Sequence, residues 1–224
     1  MTLSASSSPR PFHHPQPGSA LHCGKVSLET LAKRHGTPLY VYSGDHIVER
    51  LGMFQQALAG RDHLVCYAVK ANSALAILNL LADHGAGFDI VSGGELERVL
   101  AAAPEAVGRV VFSGVGKTTA EIDQALTAGI LEFHAESEVE LELLATRAAR
   151  LKRKARFALR VNPDVFAETH PYISTRLRRF AIGVIKSRGA RSVAQTMRRL
   201  TRHVRLVFDY LRMTGNSCAC RPGT

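Results

Sequence analysis

The sequence predicts an α/β protein with a parallel sheet, and two observations carry this prediction. Apolar, β-favouring segments begin at residues 38, 63, 88, 110, 131 and 156, with spacings of 25, 25, 22, 21 and 25 residues. The segments between them place apolar residues at helical spacing. Repeated βα units at a near-constant pitch are typical of parallel strands joined by right-handed crossovers.

The elements follow one another in strict alternation. The helix after the second strand is ended by Gly85, and the third strand, FDIVS, is rich in β-favouring residues. The predicted pairs are strand 38–43 with helix 45–59, strand 63–69 with helix 74–85, strand 88–92 with helix 94–103, strand 110–114 with helix 119–129, strand 131–137 with helix 138–150, and a last strand 156–163.

Two architectures fit this alternation, an open doubly wound sheet and a (β/α)8 barrel. Six units are too few to close an eight-stranded barrel, so a barrel would be incomplete here. The first strand is not followed by a glycine-rich nucleotide fingerprint, which lowers the weight of the open dinucleotide-binding sheet.

Composition limits the class of protein. The 224 residues are 46% hydrophobic and 21% charged, which is typical of a globular chain. No run of 18 apolar residues is present, so no membrane-spanning helix is predicted. Four cysteines (Cys23, Cys66, Cys218 and Cys220) are too sparse for a disulfide framework and favour a reducing cytoplasm.

Charge divides the chain sharply. Residues 176–224 carry twelve basic residues and one acid, a net charge of +11, whereas residues 1–175 carry 17 basic and 18 acidic residues, a net charge of −1. The Ser- and Pro-rich N-terminus is typical of a flexible arm. We therefore predict three regions: a flexible arm over 1–26, a partial barrel over 27–175 and a basic tail over 176–224.

Lys70 is the strongest candidate for chemistry. It follows the apolar strand VCYAV, where partial desolvation would lower the pKa of its amine and expose the lone pair. An uncharged lysine amine can form a Schiff base with an aldehyde. The alternative is an ordinary solvated lysine at the end of a strand.

Three further charged residues lie at or near strand ends. Asp89 lies inside a strand, where aspartate is disfavoured, so a charge or hydrogen-bond role is expected. Glu95 follows Gly93 and Gly94 and either serves the site or caps a helix N-terminus. Arg160 lies between apolar neighbours and could pair a carboxylate bidentately, either in a site or in a structural ion pair.

Several long sequence motifs resemble those of one enzyme family. YAVKAN (67–72), GFDIVSGGELERVLAA (87–102), VVFSGVGKT (110–118) and ALRVNPDV…THPYIST (158–175) occur in the order seen in diaminopimelate decarboxylases. These belong to the fold-type III pyridoxal-phosphate group, with ornithine and arginine decarboxylases and alanine racemase. The resemblance runs from about residue 27 to residue 175.

The resemblance implies a fold, a cofactor and a reaction. The fold is a (β/α)8 barrel of the alanine racemase type followed by a β-rich domain, which this chain is expected to lack. The cofactor is pyridoxal 5′-phosphate, held covalently by Lys70, with Asp89, Glu95 and Arg160 in the cofactor environment. The reaction decarboxylates meso-2,6-diaminopimelate to L-lysine and CO2, the last step of lysine biosynthesis. Relatives are homodimers with the active site shared across the interface.

Departures from the family pattern predict weak or absent activity for this chain. The family's ring-stacking histidine motif, glycine-rich phosphate loop and substrate-binding cysteine motif are not found. The basic block begins where the family words stop, so we hypothesise that residues from 176 onward are an out-of-frame or replaced ending. A non-catalytic, pyridoxal-binding barrel is the alternative that these departures leave open.

The tail supports another class of function. Val193, Met197, Leu200, Val204, Val207 and Leu211 recur at spacings of 3 and 4, which predicts a basic amphipathic helix. Such a helix could bind an anionic membrane or an acidic partner, and nucleic acid without specificity. Cys218 and Cys220 alone do not complete a tetrahedral site, so no metal site is predicted.

Overall fold

The computed structural model of the protein describes residues 10–160 and 204–206. Its elements are the strands β1 Phe12–His13, β2 His22–Cys23, β3 Val26–Ser27, β4 Cys66–Ala68, β5 Gly87–Ile90, β6 Val110–Phe112, β7 Glu132–Ala135, β8 Ala155–Leu159 and β9 Val204–Leu206, the helices α1 Leu28–His35, α2 Gly44–Ala57, α3 Leu75–Asp83, α4 Gly93–Ala102, α5 Thr119–Ala128 and α6 Glu138–Arg150, and two 3-10 helices, Val69–Ala71 and Pro104–Arg109.

The chain begins with a small antiparallel sheet. The three two-residue strands β1, β2 and β3 pair in sequence order and lead directly into α1. This sheet begins in the region 1–26, and the flexible arm that the sequence predicts there stays a prediction. Two tight reversals, with Gly18 and Gly24 at positive φ, allow such short strands to pair. The boundaries predicted at 27 and 176 remain predictions.

The first predicted strand, residues 38–43, is not a strand in the structure. The segment is irregular and leads into α2, whose first turn is capped by Ser43 through a hydrogen bond from the His46 backbone N–H. Tyr40 and Tyr42 are 87% and 58% exposed, so these β-favouring side chains face water instead of a neighbouring strand. Composition alone predicted the wrong element here, because strands need a pairing partner as well as β-favouring residues.

The main sheet contains six parallel strands in the order of the chain, from β4 to β9. A doubly wound sheet reverses its strand order at a switch point, whereas a barrel adds each new strand beside the previous one. The described strands show no reversal, and consecutive helices from α2 to α6 contact one another in one layer. The sheet is therefore of the barrel type, as the resemblance implies.

Strand β9 corrects the prediction for part of the tail. Val204–Leu206 pairs in parallel with β8, and Leu206 lies opposite Phe157. A helix was predicted across these residues from apolar spacings of 3 and 4. That prediction is wrong at 204–206, and the other residues of the predicted helix lie outside the described part of the chain.

The two faces of the sheet differ in chemistry, because successive side chains of a strand point to opposite faces. One face carries large side chains that are at most 3% exposed and pack against helix residues such as Leu96 and Ile122. Those strand residues are Phe88, Ile90, Phe112, Phe133 and Phe157. The alternate positions on the opposite face include Asp89, Glu132 and His134, so this face is polar.

Three helices of the barrel begin with the same local pattern. Ser92, Thr118 and Ser137 each accept a hydrogen bond from the backbone N–H of the glutamate three residues later. A serine or threonine followed at the third position by glutamate is the sequence signature of a capped helix N-terminus. This repeated cap fixes the point at which each strand-to-helix loop ends, and it brings three glutamates to the edge where the strands end.

Candidate functional site

The candidate site lies at the carboxyl ends of the parallel strands, the edge where barrel enzymes place their chemistry. Lys70 follows β4, Ser92 follows β5, Ser113 follows β6, Glu136 follows β7 and Arg160 follows β8. All five lie within two residues of a strand end. The topology thus brings chemistry-bearing residues that are distant in the chain to one edge of the sheet.

Lys70 lies in the 3-10 turn Val69–Ala71 that follows β4. Val69 is fully buried and anchors the turn, and the Tyr67 hydroxyl donates to the Asn72 carbonyl at 3.1 Å and closes it. The Lys70 side chain is exposed and makes no hydrogen bond or ion pair with the described residues. The expected partial desolvation of this amine is therefore not supplied by residues 10–160, and this corrects the sequence argument.

Asp89 lies on the polar face of the sheet, opposite Ala68 in the register between β4 and β5. Its Oδ1 atom is buried and has no hydrogen-bond partner among the described residues. A buried carboxylate oxygen without a partner carries a desolvation cost, and such groups call for an explanation in a ligand, a water or a function. The sequence expectation of a charge or hydrogen-bond role for Asp89 is consistent with this position.

The thiol of Cys66 reports the electrostatics of the same face. Burial, followed by the negative charges of Asp89 and Glu132, raises the pKa of Cys66 from 9.0 to about 11. All three effects disfavour the thiolate, so the cysteine is a neutral thiol at physiological pH. The polar face therefore carries negative potential around Cys66, at the start of β4.

Glu95 is occupied by the backbone of its own loop. Its Oε2 atom accepts from the Val91 backbone N–H at 2.8 Å, and its own N–H donates to the Ser92 hydroxyl at 3.2 Å. Together these bonds close the turn between β5 and α4. The helix-capping alternative for Glu95 thus describes what its carboxylate does in the described residues.

Arg160 forms an ion pair with Glu136. Its Nη1 donates to Glu136 Oε1 at 3.0 Å, and its backbone N–H donates to the Ala135 carbonyl at 2.9 Å. Only one guanidinium nitrogen contacts the carboxylate, so the pair is not bidentate. The Arg160 side chain is 57% exposed, whereas that of Glu136 is 8% exposed. Within the described part of the chain, the other guanidinium donors of Arg160 have no partner, while its carboxylate partner is buried.

Lys117 is the functional-site residue that the sequence argument missed. Its side chain is only 2% exposed, and its Nζ donates to the Gly114 carbonyl at 2.8 Å, the His134 carbonyl at 2.7 Å and Glu140 Oε1 at 2.6 Å. The ammonium also lies 5.5 Å from the centre of the Phe112 ring. The burial that was expected for Lys70, after β4, is found at Lys117, after β6.

A hydrogen-bond chain on the polar face was also missed. Ser113 Oγ and His134 Nδ1 are 2.8 Å apart, and His134 Nε2 lies 3.2 Å from Glu132 Oε1. An ionised carboxylate only accepts, so the ring donates to Glu132 from Nε2, and Nδ1 shares the second hydrogen bond with the serine hydroxyl. The signal available in the sequence was a histidine between apolar neighbours in a strand, a position that needs polar partners.

The four predicted site residues do not contact one another directly. No hydrogen bond or ion pair joins any two of Lys70, Asp89, Glu95 and Arg160 in the described part of the chain. They share one edge of the sheet, Lys70 and Asp89 on neighbouring strands and Arg160 on β8. Within residues 10–160 and 204–206, no cluster of three or more metal-binding side chains is found, and no helix is long and apolar enough to cross a membrane.

The arrangement suits a cofactor that carries an aldehyde. Among the described residues, the Lys70 amine, in the turn after β4, has no partner, and neither has the buried Oδ1 of Asp89 in β5. A cofactor with both a carbonyl carbon and a protonated or hydroxyl group would satisfy both residues. The fold is that of a barrel-type α/β protein, with a candidate Schiff-base lysine after one of its strands.

Comparison with known proteins identifies the family. Residues 44–207 match the pyridoxal-dependent decarboxylases, in their pyridoxal binding domain. The chain belongs to this family, and its cofactor is pyridoxal phosphate. The match extends 32 residues beyond residue 175, where the quoted family words end, and it includes β9.

Similar proteins carry one activity in their names. The diaminopimelate decarboxylase of Pseudomonas aeruginosa is 57% identical over 159 residues, which is 71% of this chain and 38% of that protein. The diaminopimelate decarboxylase of Vibrio cholerae is 51% identical over 179 residues, 80% of this chain and 42% of that protein. The chain thus spans about two fifths of the length of these relatives.

Solved structures give the same result. The diaminopimelate decarboxylase of Helicobacter pylori, complexed with L-lysine, superposes with a TM-score of 0.71 at 40% identity, covering 81% of this chain and 45% of that one. The enzyme of M. jannaschii, also with L-lysine, gives 0.73 at 32% identity over 88% of this chain and 46% of that one. The barrel fold expected from the resemblance is confirmed.

Proposed function

We propose that this chain provides the cofactor-binding barrel of an enzyme that decarboxylates meso-2,6-diaminopimelate to L-lysine and CO2. Support comes from the names of relatives that are 57% and 51% identical, and from similar structures that hold L-lysine. The observation that carries the proposal is Lys70, an amine without a described partner at the end of a barrel strand, within the word YAVKAN. The substrate class is thus a small amino acid.

Four residues receive roles in this proposal. Lys70 holds pyridoxal phosphate through its amine, and Asp89 accepts a hydrogen bond from the cofactor with its unpartnered oxygen. Arg160 presents its free guanidinium donors to anionic groups, and Glu136 fixes it. Glu95 shapes the loop after β5 and stays in the cofactor environment through that loop. When bound, the cofactor supplies a conjugated ring that accepts the electrons left by a departing carboxylate.

The chain's own residues supply orientation and charge. The ammonium of Lys117 and the guanidinium of Arg160 are paired with Glu140 and Glu136, so the edge opposite Lys70 carries two ion pairs, of which only the Arg160 side chain is largely exposed. Asp89 and Glu132 give the face near β4 and β5 negative charge, which suits the ammonium groups of a diamino acid. Such fixed charges lower the cost of orienting a charged substrate before reaction.

Product analysis tests the proposed reaction. Purified chain with pyridoxal phosphate is incubated with meso-diaminopimelate, and L-lysine and CO2 are quantified, with Lys70→Ala as the control. Equal amounts of both products, lost in the control, support the proposal. Release of CO2 from ornithine or arginine but not from diaminopimelate would assign another branch of the family. Cofactor capture at Lys70 without CO2 release would favour a non-catalytic, pyridoxal-binding barrel.

Location and assembly follow as part of the same proposal. We infer a cytoplasmic site of action, because the free thiols Cys23 and Cys66 suit a reducing compartment. Homodimerisation is implied by the resemblance and stays a prediction, which sedimentation of the purified chain would test.

A further inference from the structure

Lys117 and Glu140 form a buried ion pair that links several strand ends. The ammonium has three donors, and all three are used, by Glu140 and by two backbone carbonyls that belong to the loop after β6 and to β7. The Glu140 side chain is 11% exposed. The ammonium therefore has no donor left for a substrate or cofactor, so its role is exerted through the groups that it holds.

The second oxygen of Glu140 extends the link. Glu140 Oε2 accepts from the Glu136 backbone N–H at 2.8 Å, directly after the end of β7. The carboxylate of Glu136 in turn receives the Arg160 guanidinium at 3.0 Å. Charge-assisted hydrogen bonds thus link Lys117 through Glu140 to the backbone of Glu136, and the side chain of the same Glu136 binds Arg160.

Stability alone is a weak reason for such a pair. Buried ion pairs often contribute little net stability compared with apolar residues of similar size, because both charges lose their hydration. Their established use is to fix one arrangement among several. Here the fixed arrangement includes the carbonyl of His134, whose ring bonds to Ser113, and the carboxylate that holds Arg160.

We propose that Lys117 and Glu140 are positioning residues of the pyridoxal site, which hold His134 and Arg160 in place at the carboxyl ends of β7 and β8. This inference rests on the proposed function for the identity of the ligand that His134 and Arg160 face. The geometry itself exists in the protein without cofactor, so it can be measured there.

The primary test uses NMR of the full chain without cofactor. Glu140→Gln keeps the size of the side chain, but its amide nitrogen cannot accept, so one of the two acceptor contacts is lost. We expect the ring nitrogen resonances of His134 and the guanidinium resonances of Arg160 to shift in this variant. Asp123→Asn is the matched control, because it breaks the ion pair with Arg147 between α5 and α6, away from the strand ends. Equal changes in both variants, or none at His134 and Arg160 in Glu140→Gln, would overturn the proposal.

A double variant separates positioning from folding. In Lys117→Met with Glu140→Met, both charges are removed, and the thermal unfolding midpoint is expected to lie above that of either single variant. The affinity for pyridoxal phosphate, followed by absorbance, is expected to stay about tenfold below that of the unaltered chain, the size of effect typical for lost charged hydrogen bonds. Affinity that returns together with stability would show a structural role only and overturn the proposal.

The readouts distinguish this inference from the proposed reaction. Neither resonance position nor cofactor affinity depends on turnover, so a chain that fails to release CO2 can still show the expected shifts. If the unaltered chain captures no cofactor, the His134 and Arg160 resonances alone decide the positioning role.

Discussion

The carboxyl ends of the strands fall into two regions that are held in opposite ways. The open end, Lys70 after β4 and Asp89 in β5, presents an amine and a carboxylate oxygen without partners in the described chain. The tied end, Lys117, Glu136 and Arg160 after β6, β7 and β8, is joined by hydrogen bonds of 2.6–3.0 Å. Strand ends in the same sheet therefore differ in whether their polar side chains are hydrogen-bonded to other described residues.

The difference separates reactive groups from structural ones. A group that reacts must be able to leave its resting contacts, whereas a group that orients others is useful only when its own contacts are complete. Lys70 meets the first condition and Lys117 the second. The two lysines follow strands in similar sequence contexts, so tertiary contacts and not local sequence assign their roles.

The largest expected effect is at the open end. Reduction with borohydride in the presence of pyridoxal phosphate should leave a pyridoxyl adduct on the peptide that contains Lys70, because that amine is exposed and no described residue competes for it. Lys70→Ala should abolish the adduct. Lys154→Ala, which removes an exposed lysine after α6, should leave the adduct intact, and mass spectrometry of the digested protein measures both. An adduct mainly on Lys117 would mean that Lys117, and not Lys70, is the reactive lysine.

The next largest effect is a loss of stability in the core beneath the tied end. Phe112 is fully buried and packs against Phe133, with ring centres 6.0 Å apart. Phe112→Ala should lower the free energy of unfolding by about 3–5 kcal/mol, because the removed ring leaves a cavity. Phe54→Ala is the matched control, since Phe54 is 63% exposed and should change it by less than about 0.5 kcal/mol. Denaturant titration gives the free energy of unfolding of both variants. Equal losses in Phe112→Ala and Phe54→Ala would mean that the core around Phe112 is not close-packed.

A smaller effect is expected at the cap of α5, which borders the tied end. Thr118→Ala removes the hydroxyl that accepts from the Glu121 backbone N–H and donates to its carboxylate, and should cost about 1 kcal/mol of stability. Thr146→Ala is the control. Its hydroxyl bonds the Glu142 carbonyl within α6, where alanine is the better helix former, so no loss is expected. Thermal unfolding of both variants provides the measurement, and a greater loss in the control would contradict the capping role.

The smallest expected effect is on the reactivity of Cys66, which depends on the charge of Asp89. Removing the charge of Asp89 by Asp89→Asn should lower the pKa of Cys66 below about 11 and raise the rate of its alkylation at pH 8 roughly two- to fivefold. Asp123→Asn, on the helical layer, should leave that rate unchanged. Alkylation is followed on the peptide that contains Cys66. An unchanged rate in Asp89→Asn would show that the charge of Asp89 does not raise the pKa of the thiol.

The same thiol predicts a loss of stability in alkali. The unfolded chain ionises Cys66 near 9.0, whereas the folded chain does so near 11, so the folded state binds the proton more tightly. The contribution of this group is complete below pH 9 and is lost as the pH rises from about 9 to about 11. Unfolding titrations across that range in the unaltered chain and in Cys66→Ala should diverge in their pH dependence.

The sequence was a good guide where local signals and topology agree. Strands and helices from residue 66 to residue 159 lie within a few residues of their predicted bounds, since each unit combines an apolar strand with an amphipathic helix, and α4, α5 and α6 also have capped N-termini. Residues 38–43 show the limit of this reasoning. Their β-favouring tyrosines describe a strand, but no described strand pairs with them, and pairing is not encoded in the segment itself.

The site was less predictable for a related reason. Lys70, Asp89 and Arg160 could be selected because they lie at strand ends and match family words. The burial of Lys117 depends on Glu140, which lies 23 residues further along the chain, and on the carbonyl of His134. Long-range partners of this kind leave no local signature, so the buried environment of Lys117 could not be predicted from the sequence.

The loop between β5 and α4 has a consequence for anion binding. Gly93 donates its backbone N–H to Glu121 Oε1 at 2.9 Å, and a Cβ at this position would lie 2.6 Å from Gln124 Oε1. Two carboxylates, those of Glu95 and Glu121, thereby occupy the first turn of α4, and the bonds from Gly93 and Thr118 hold the pKa of Glu121 below its ordinary range. Because carboxylates already accept from the backbone N–H groups of Val91 and Gly93, this helix start is a poor site for an anion despite its glycine pair.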